Sequence, residues 1–278
     1  MTEAGSRAVV LRVAYLGTRF HGFARQGGGL RTVQGELERI LSDVYGAPIE
    51  TRGASRTDSG VHARGQVVAF TDPPVKGPPA DRLLLALRGE LPDDLEVSAS
   101  WSLPQDPAKP LHPRHPNLGK HYCYRIHCAR VSDPLRAPTH WTYHGDLDVE
   151  AMSKAAAHFA GEHDYAGFRA SGCKAATTIR RIHEVKVERL VGGAGVSGDP
   201  GHEHRGSGQR VAVHVHGHAF LMHMVRIMVG SLLEVGLGRQ APEWITSLLV
   251  DPDRRRSGQT APAQGLTLEE VKWPDELR

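Results

Sequence analysis

The chain has 278 residues, of which 40% are hydrophobic and 23% are charged, and its formal net charge is +3. This length suits two domains or one large one, and the composition is that of an ordinary globular protein. The sequence contains no apolar run of roughly 18 residues, so we expect no membrane-spanning helix, and its start lacks the pattern of a signal peptide. Three cysteines are too few for a disulfide scaffold and indicate a reducing compartment, the cytoplasm.

Hydrophobic periodicity predicts a mixture of strands and helices in the first part of the chain. Thr32 is placed to cap a helix that Gly46 would end, because apolar residues recur at helical spacing between them. Pro92 would end a second helix. The predicted order is strand 9–15, helix 32–46, strand 66–70, helix 81–92 and strand 95–103.

The second part of the chain follows a stretch, residues 104–120, that contains five prolines. It is predicted to contain a strand at 120–128, a helix at 148–161, paired strands at 180–190 and 209–220, and a helix at 220–236. The glycine-rich residues 192–208 between the paired strands predict a mobile hairpin loop. The last helix is apolar nearly all round, so we expect it to be buried.

This arrangement predicts an α+β fold, because strands and helices do not alternate in a regular βαβ order. We expect antiparallel sheets covered by helices. The pattern suggests two similar halves, an N-terminal half at 1–106 and a C-terminal half at 107–278.

Asp58 is a candidate catalytic carboxylate because it lies in the glycine-bracketed segment GASRTDSGVHARGQVVAF, residues 53–70. If residues 56–58 are extended, Arg56 and Asp58 point to the same side, and the cation favours the ionised carboxylate. The alternative is an ordinary ion pair in a surface turn.

Arg226 stands within the most apolar predicted helix, in HMVRIMVG. A buried cation is costly unless a carboxylate pairs with it, and Asp58 is a candidate partner. The alternative is that the arginine extends from the helix to the surface.

Aromatic and histidine side chains offer two further possibilities. Tyr122 and Tyr124 share one face of a predicted strand, where they would pack in the core or stack on a nucleobase. His214, His216 and His218 also share a strand face. They would form a zinc site or a solvated surface that faces phosphate, and the sequence near them lacks a further ligand at a familiar spacing.

Basic residues recur in the predicted loops and could line a groove for nucleic acid, although acidic residues nearly balance them overall. The residues are Arg19, Arg25, Arg31, Arg52, Arg56, Arg64, Arg114, Lys120, Arg169, Lys174, Arg180, Arg181, Arg254, Arg255 and Arg256.

The segment at 53–70 closely resembles the signature of the TruA-type tRNA pseudouridine synthases, G-x-G-R-T-D-x-G-V-H-A-x-x-Q-V. Other segments resemble the same family in the same order over almost the whole chain: YLGTRFHGFARQ, TVQGELE, HYCYRI, GEHDYAGFRASGC, FLMHMVRIMVGSLLEVG and DRRRSGQTAPAQGL. Departures include Ser55 where glycine is usual, and Ile227 where asparagine is common.

The resemblance implies an α+β fold in which two similar halves form a central antiparallel sheet, with an active-site cleft between them. It also implies a homodimer that isomerises uridines 38, 39 and 40 of the tRNA anticodon stem-loop, without a metal or organic cofactor. Competing hypotheses are a non-catalytic RNA-binding protein and a zinc hydrolase built on the histidines.

The same resemblance implies the roles of individual residues. Asp58 would be the catalytic carboxylate, Tyr122 would pack against the flipped base and act as an acid or base, and Arg226 would keep Asp58 ionised. The residues expected to contact RNA are Arg56, Tyr122, His62, Arg25, Arg64 and Arg169.

Overall fold

A computed structural model describes residues 6–73, 77–190 and 208–277. Within these ranges the chain forms ten strands and five α-helices, which confirms the predicted α+β class. The predicted loop at 192–208 lies outside the described residues except for its last glycine. In the same ranges, every helix is too short or too polar to cross a membrane.

The elements follow one another in a mixed order along the chain. The strands are β1 (Arg7–Tyr15), β2 (Arg52–Gly53), β3 (His62–Thr71), β4 (Leu95–Pro104), β5 (Gly119–Cys128), β6 (Trp141–Tyr143), β7 (Gly161–Asp164), β8 (Ile179–Arg189), β9 (Gln209–Gly217) and β10 (Leu266–Lys272). The helices are α1 (Val33–Tyr45), α2 (Leu83–Leu87), α3 (Val149–Ala157), α4 (Met224–Gly236) and α5 (Trp244–Val250).

The chain divides into two compact units. The first consists of Met1–Lys120 together with Leu268–Arg278, and the second consists of His121–Thr267. The division into similar halves at 1–106 and 107–278 concerns an internal repeat, and it stays a prediction.

The sheet of the first unit is built around β1, which lies between β4 and β3 and is antiparallel to both. The short strand β2 pairs with β3, and β10 follows β3 on its other side. Sequence analysis did not predict β10, because two adjacent glutamates interrupt the alternation of LTLEEVK.

Helix α1 confirms the predicted capping. The Thr32 side chain accepts a hydrogen bond from the Gly35 backbone N–H at 3.2 Å, and Gly46 ends the helix in a left-handed conformation with φ of 62°. The apolar face of α1 is buried, including Leu37 and Leu41.

The predicted helix at 81–92 is wrong in its extent, because α2 comprises only Leu83–Leu87. Arg88 is extended, with ψ of 119°, and Gly89 follows with φ of 86°. Glycine adopts this left-handed conformation without steric cost, so the chain turns out of the helix well before Pro92.

In the second unit, β9 lies between β5 and β8, and β7 flanks β8. The antiparallel pairing of β8 with β9 confirms the predicted hairpin strands. One pairing in this unit is parallel, because the short strand β6 runs alongside β5, with Ile126 opposite Trp141.

Helix α4 confirms the predicted buried helix, since all of its residues except Arg226 and Glu234 are buried. It starts at Met224 rather than at Phe220, because His223 adopts a left-handed conformation with φ of 62° that helical backbone does not allow. Helix α3 packs against α4 and β8, and its buried residues are Val149, Met152, Ala155 and Ala156.

Candidate active site

The loop between β2 and β3, residues 54–61, presents Asp58 and Arg56 at the surface of the first unit. We call it the Asp58 loop. Asp58 is half-buried and Arg56 is exposed, while Thr57 between them is buried. Arg56 and Asp58 therefore reach solvent, while the side chain of Thr57 between them faces the interior.

Gln66, which is completely buried on β3, fixes the start of this loop. Its side-chain amide accepts a hydrogen bond from the Ser55 N–H at 3.1 Å and donates one to the Ser55 carbonyl at 2.6 Å. The amide thus pairs with the backbone as a neighbouring strand would. It satisfies both polar groups of a buried residue that lies three positions before Asp58.

A second contact holds the middle of the loop. The hydroxyl groups of Thr57 and Tyr15 are hydrogen-bonded at 2.8 Å in a buried setting, and the Thr57 carbonyl accepts from the Phe23 N–H at 3.1 Å. Gly22 approaches the same backbone, since a Cβ there would lie 3.0 Å from the Thr57 carbonyl oxygen. The segment after β1 therefore packs directly against the Asp58 loop.

His62 holds the end of the loop. Its ring is 3% exposed, and its Nδ1 accepts a hydrogen bond from the Gly17 N–H at 2.9 Å. A side chain on Gly17 would collide with the Val61 carbonyl oxygen, 2.0 Å from an ideal Cβ. This position favours an anchoring role for His62, and its predicted contact with RNA stays a prediction.

Most arginines near the loop are ion-paired with carboxylates of the first unit. Arg25 lies 3.1 Å from the buried Glu38, and Arg64 lies 3.6 Å from Glu269. Arg31 binds both carboxylate oxygens of Asp94 at 2.8 Å, and these bonds hold the pKa of Asp94 below its usual value.

Arg56 differs from these arginines. Among the residues that the structure describes, it has no ion pair, and its side chain is exposed. An exposed guanidinium without a carboxylate partner is available to a phosphate.

In the second unit, Tyr122 and Tyr124 both lie on β5 and are both buried. Tyr122 is 6% exposed and meets Phe220 edge to face, with ring centroids 5.1 Å apart. The hydroxyl of Tyr124 donates to the Pro262 carbonyl at 2.8 Å, and burial raises its pKa strongly. Tyr124 is therefore a core residue.

Arg226 is less buried than its helix, and its guanidinium is held by a backbone group. Its Nε donates to the Ala261 carbonyl at 2.7 Å, and the Ala261 N–H donates back to the Arg226 carbonyl at 3.1 Å. These two bonds hold the backbone of Arg226 and the Nε of its guanidinium against residues 253–262. The predicted partnership of Arg226 with Asp58 stays a prediction.

Residues 253–262 lie against α4 so closely that glycine is required on both sides. An ideal Cβ on Gly230 would lie 1.8 Å from the Gln259 carbonyl oxygen, and one on Gly258 would lie 2.3 Å from the Gly230 carbonyl carbon. The buried Ser231 hydroxyl accepts from the Gly258 N–H at 2.9 Å and donates to the Ile227 carbonyl at 3.0 Å. This contact positions Ala261, and with it Arg226.

Arg169 is half-exposed, after the short turn Ala166–Phe168, and its predicted contact with RNA also stays a prediction. The backbone of this turn is tied to residues 253–262, because the Ser257 hydroxyl donates to the Gly167 carbonyl at 2.7 Å.

Two histidines of the predicted row, His214 and His216, stack with His121. His121 lies between His214 and His216, with ring centroids 5.2 Å and 4.0 Å away, and its Nε2 lies 2.9 Å from His214 Nδ1. Across the described ranges, the His, Cys, Asp and Glu side chains form no group of three or more that could hold a metal ion.

Gln66, Tyr15 and Thr57 hold the Asp58 loop, and none of the three was predicted from the sequence to do so. Gln66 lies on a strand, and its amide satisfies a loop that is distant by only eleven positions. The sequence marks Gln66 in one way: it is a polar residue at the start of the apolar strand QVVAF, where a buried side chain needs hydrogen-bond partners.

Replacing Gln66 tests this description of the loop. Gln66→Leu should lower the free energy of unfolding by at least about 2 kcal/mol, because two buried backbone groups of Ser55 lose this partner. Gln66→Glu keeps an acceptor for the N–H and loses the donor to the carbonyl, so it should also destabilise. The measurement is denaturant unfolding followed by circular dichroism.

The matched control is Gln26→Leu, because Gln26 is exposed and its amide donates a single hydrogen bond, to the His21 carbonyl. This variant should change the stability by less than about 0.5 kcal/mol. Equal stability of wild type and Gln66→Leu would contradict the assigned role.

Comparisons with known proteins agree with the resemblance drawn from the sequence. A family model described as tRNA pseudouridine synthase matches residues 155–274. The tRNA pseudouridine synthase A of Myxococcus xanthus is 41% identical over 265 residues, which is 95% of this chain and 91% of that protein. The enzymes of the same name from Geobacter sulfurreducens and Shewanella amazonensis are each 39% identical over 96% of this chain, and the matches cover 100% and 93% of those proteins. The chain therefore belongs to the tRNA pseudouridine synthase family.

Proposed function

We propose that this protein isomerises uridine to pseudouridine in the anticodon stem-loop of tRNA, at positions 38, 39 and 40, and that Asp58 is the catalytic carboxylate. Family membership makes it an isomerase that acts on tRNA uridine. The observation that carries the assignment of Asp58 is its setting. Three sets of hydrogen bonds fix the backbone on both sides of it, while its carboxylate keeps partial access to solvent.

The reaction breaks the bond between N1 of the base and C1′ of the ribose, rotates the base and joins C5 to C1′. C5 then loses its proton to solvent and N1 takes up a proton, so the atoms balance without a co-reactant. Asp58 acts at C1′ as a nucleophile or removes a proton from the ribose, and both roles need an ionised carboxylate. The base must leave its stack before either step.

Tyr122 and Arg226 are the other proposed catalytic residues. Tyr122, which meets Phe220 edge to face, would pack against the extruded base. Arg226 is proposed as the cation that keeps Asp58 ionised, in line with the resemblance. Its Nε bond to Ala261 holds the guanidinium against residues 253–262.

The Asp58→Asn variant tests the proposed chemistry. An amide of the same size can neither act as a strong nucleophile nor accept a proton at neutral pH, so turnover should fall by at least about 1,000-fold. The fold should survive, because the hydrogen bonds described above fix the loop through its backbone and its neighbours. The measurement is single-turnover release of tritium from tRNA that carries 5-tritiated uridine.

Asp72→Asn is the control, because Asp72 follows β3, outside the Asp58 loop. Its rate should equal that of wild type. Release by Asp58→Asn at a rate near that of wild type, or an equal loss in Asp72→Asn, would overturn the assignment.

We propose that RNA contacts are made by Arg56, together with Arg25, Arg64, Arg169, His62 and Tyr122. Arg56→Gln should weaken binding of an unmodified tRNA transcript about threefold to tenfold. It should also lower the slope of log affinity against log salt by about one, as expected for one lost phosphate contact. Filter binding between 50 and 200 mM salt, roughly the range in which such contacts weaken, measures both.

Arg39→Gln is the matched control, since Arg39 is exposed on α1 and ion-paired with Glu36 and Asp43. It should leave both quantities unchanged. If the two variants bind alike, Arg56 does not contact RNA.

We further propose that the protein works in the cytoplasm as a homodimer and needs no metal or organic cofactor. The support is family resemblance. Light scattering at micromolar concentration should give twice the mass of one chain, and activity should survive treatment with a chelator. A mass of one chain would contradict the dimer, and loss of activity to the chelator would contradict metal-free catalysis.

A further inference from the structure

We propose that His112, Arg114 and Lys120 form a binding site for one phosphate of the RNA backbone. The proposal deepens the proposed function and rests on it, because it names which part of the RNA these residues would hold. It starts from a buried charge, Lys120, whose partner is not supplied by the residues that the structure describes.

Lys120 is 8% exposed at the start of β5. Two other buried charged side chains of this unit, Glu38 and Asp94, each lie within 3.1 Å of an arginine nitrogen. Across the described residues, Lys120 has neither an ion pair nor a side-chain hydrogen bond. A buried ammonium without a counter-charge is costly, so the position indicates an anion that binds from outside the chain.

The charged group that acts on Lys120 is another cation, Arg114. Burial and the nearby Arg114 together lower the pKa of Lys120 to about 8. No carboxylate is among the groups that shift it. Two cations are thus held near each other without neutralisation by a described residue, and an anion would relieve both the repulsion and the desolvation.

His112 adds a neutral donor beside them. Its Nδ1 accepts a hydrogen bond from the Arg114 N–H at 3.2 Å, so the neutral ring carries its proton on Nε2. Burial, with Arg114, His115 and Arg52 nearby, lowers the pKa of His112 and keeps it in this form. The group therefore combines an ammonium, a guanidinium and an imidazole N–H, which suits a singly charged phosphodiester.

The segment that carries these residues is fixed before any ligand binds. The His115 N–H donates to the His112 carbonyl at 3.1 Å, the Trp273 indole donates to the Pro113 carbonyl at 3.2 Å, and the Leu118 N–H donates to the Lys272 carbonyl at 2.8 Å. A rigid site loses little conformational entropy when an anion binds.

The site makes RNA affinity depend on pH in a defined direction. Lys120 must be protonated to hold the phosphate, and its pKa in the free protein is about 8. A bound anion raises that pKa, so binding takes up a proton. The contribution of Lys120 to RNA affinity is complete below about pH 8 and is lost as the pH rises above that value.

The test compares variants in binding of an unmodified tRNA transcript at pH 7 and pH 9, at constant salt. At pH 7, Lys120→Met should bind about fivefold to tenfold more weakly than wild type. Between pH 7 and pH 9 its affinity should fall much less than that of wild type, because the titrating group is gone. Lys120→Arg, which stays charged at both values, should weaken less than wild type between pH 7 and pH 9. Replacing a buried charge by a similar apolar side chain tends not to destabilise, so Lys120→Met should melt at or above the wild-type temperature.

Arg114→Gln and Lys109→Met complete the set. Arg114 is exposed, so its replacement tests the site without disturbing the core, and it should reduce affinity and the salt slope as Lys120→Met does. Lys109 is an exposed lysine of the same unit and should behave like wild type at both pH values. Unchanged affinity in both Lys120→Met and Arg114→Gln would overturn the proposal.

Inorganic phosphate distinguishes a backbone phosphate from the free ion. A site for the RNA backbone should give competition by inorganic phosphate only at tens of millimolar, by order of magnitude, because one phosphate lacks the rest of the RNA. Saturation by inorganic phosphate below about 1 mM, with tRNA affinity independent of Lys120, would assign the site to the free ion and overturn the proposal. Formation of pseudouridine by wild type is scored in parallel, so loss of the proposed function is seen separately from loss of this site.

Discussion

The buried amide of Gln66 is the contact on which the geometry of the Asp58 loop depends. The amide pairs with the Ser55 backbone as a neighbouring strand would, by donating to and accepting from the same residue. Because the amide is fully buried in β3, the sheet of the first unit sets the position of the loop. The Thr57 and His62 contacts then fix its middle and its end, so a small displacement of β3 would be carried to Asp58.

Charge pairing separates the arginines that hold the protein together from the cations available to RNA. Arg19 and Arg31 both meet the buried carboxylate of Asp94 in their own unit. Within the described residues, Arg56, Arg114 and Lys120 have no such partner. The net charge of +3 conceals this difference, since paired and unpaired arginines count equally in it. A modestly basic chain can therefore present a strongly basic local surface.

Much of the fold was predictable because its signals are local. The Thr32 cap, the Gly46 end of α1 and the buried α4 were all read from residue spacing. The end of α2 was not, because the glycine that turns the chain at position 89 competes with a strongly apolar run. Strand β10 depends on pairing with residues far away in the sequence, which periodicity does not report.

The candidate site divides in the same way. The segment around Asp58 and the apolar setting of Arg226 were visible in the sequence, whereas their anchors were not. Gln66, Tyr15 and Ala261 act through contacts with residues that lie 11, 42 and 35 positions away, and only Gln66 carries a local signal, as a polar residue in an apolar strand. That Lys120 is buried without a partner among the described residues is likewise a property of the folded chain, since the sequence shows only one basic residue among many.

The most direct test of the central claim is to map pseudouridine in an unmodified tRNA transcript after incubation with the purified wild-type protein. Carbodiimide adducts that survive alkaline treatment stop primer extension one nucleotide before each pseudouridine. The account predicts stops that correspond to uridines 38, 39 and 40 of the anticodon stem-loop and to no uridine of the acceptor stem. A transcript that is bound but gains no stop would contradict the claim that this protein is a tRNA pseudouridine synthase.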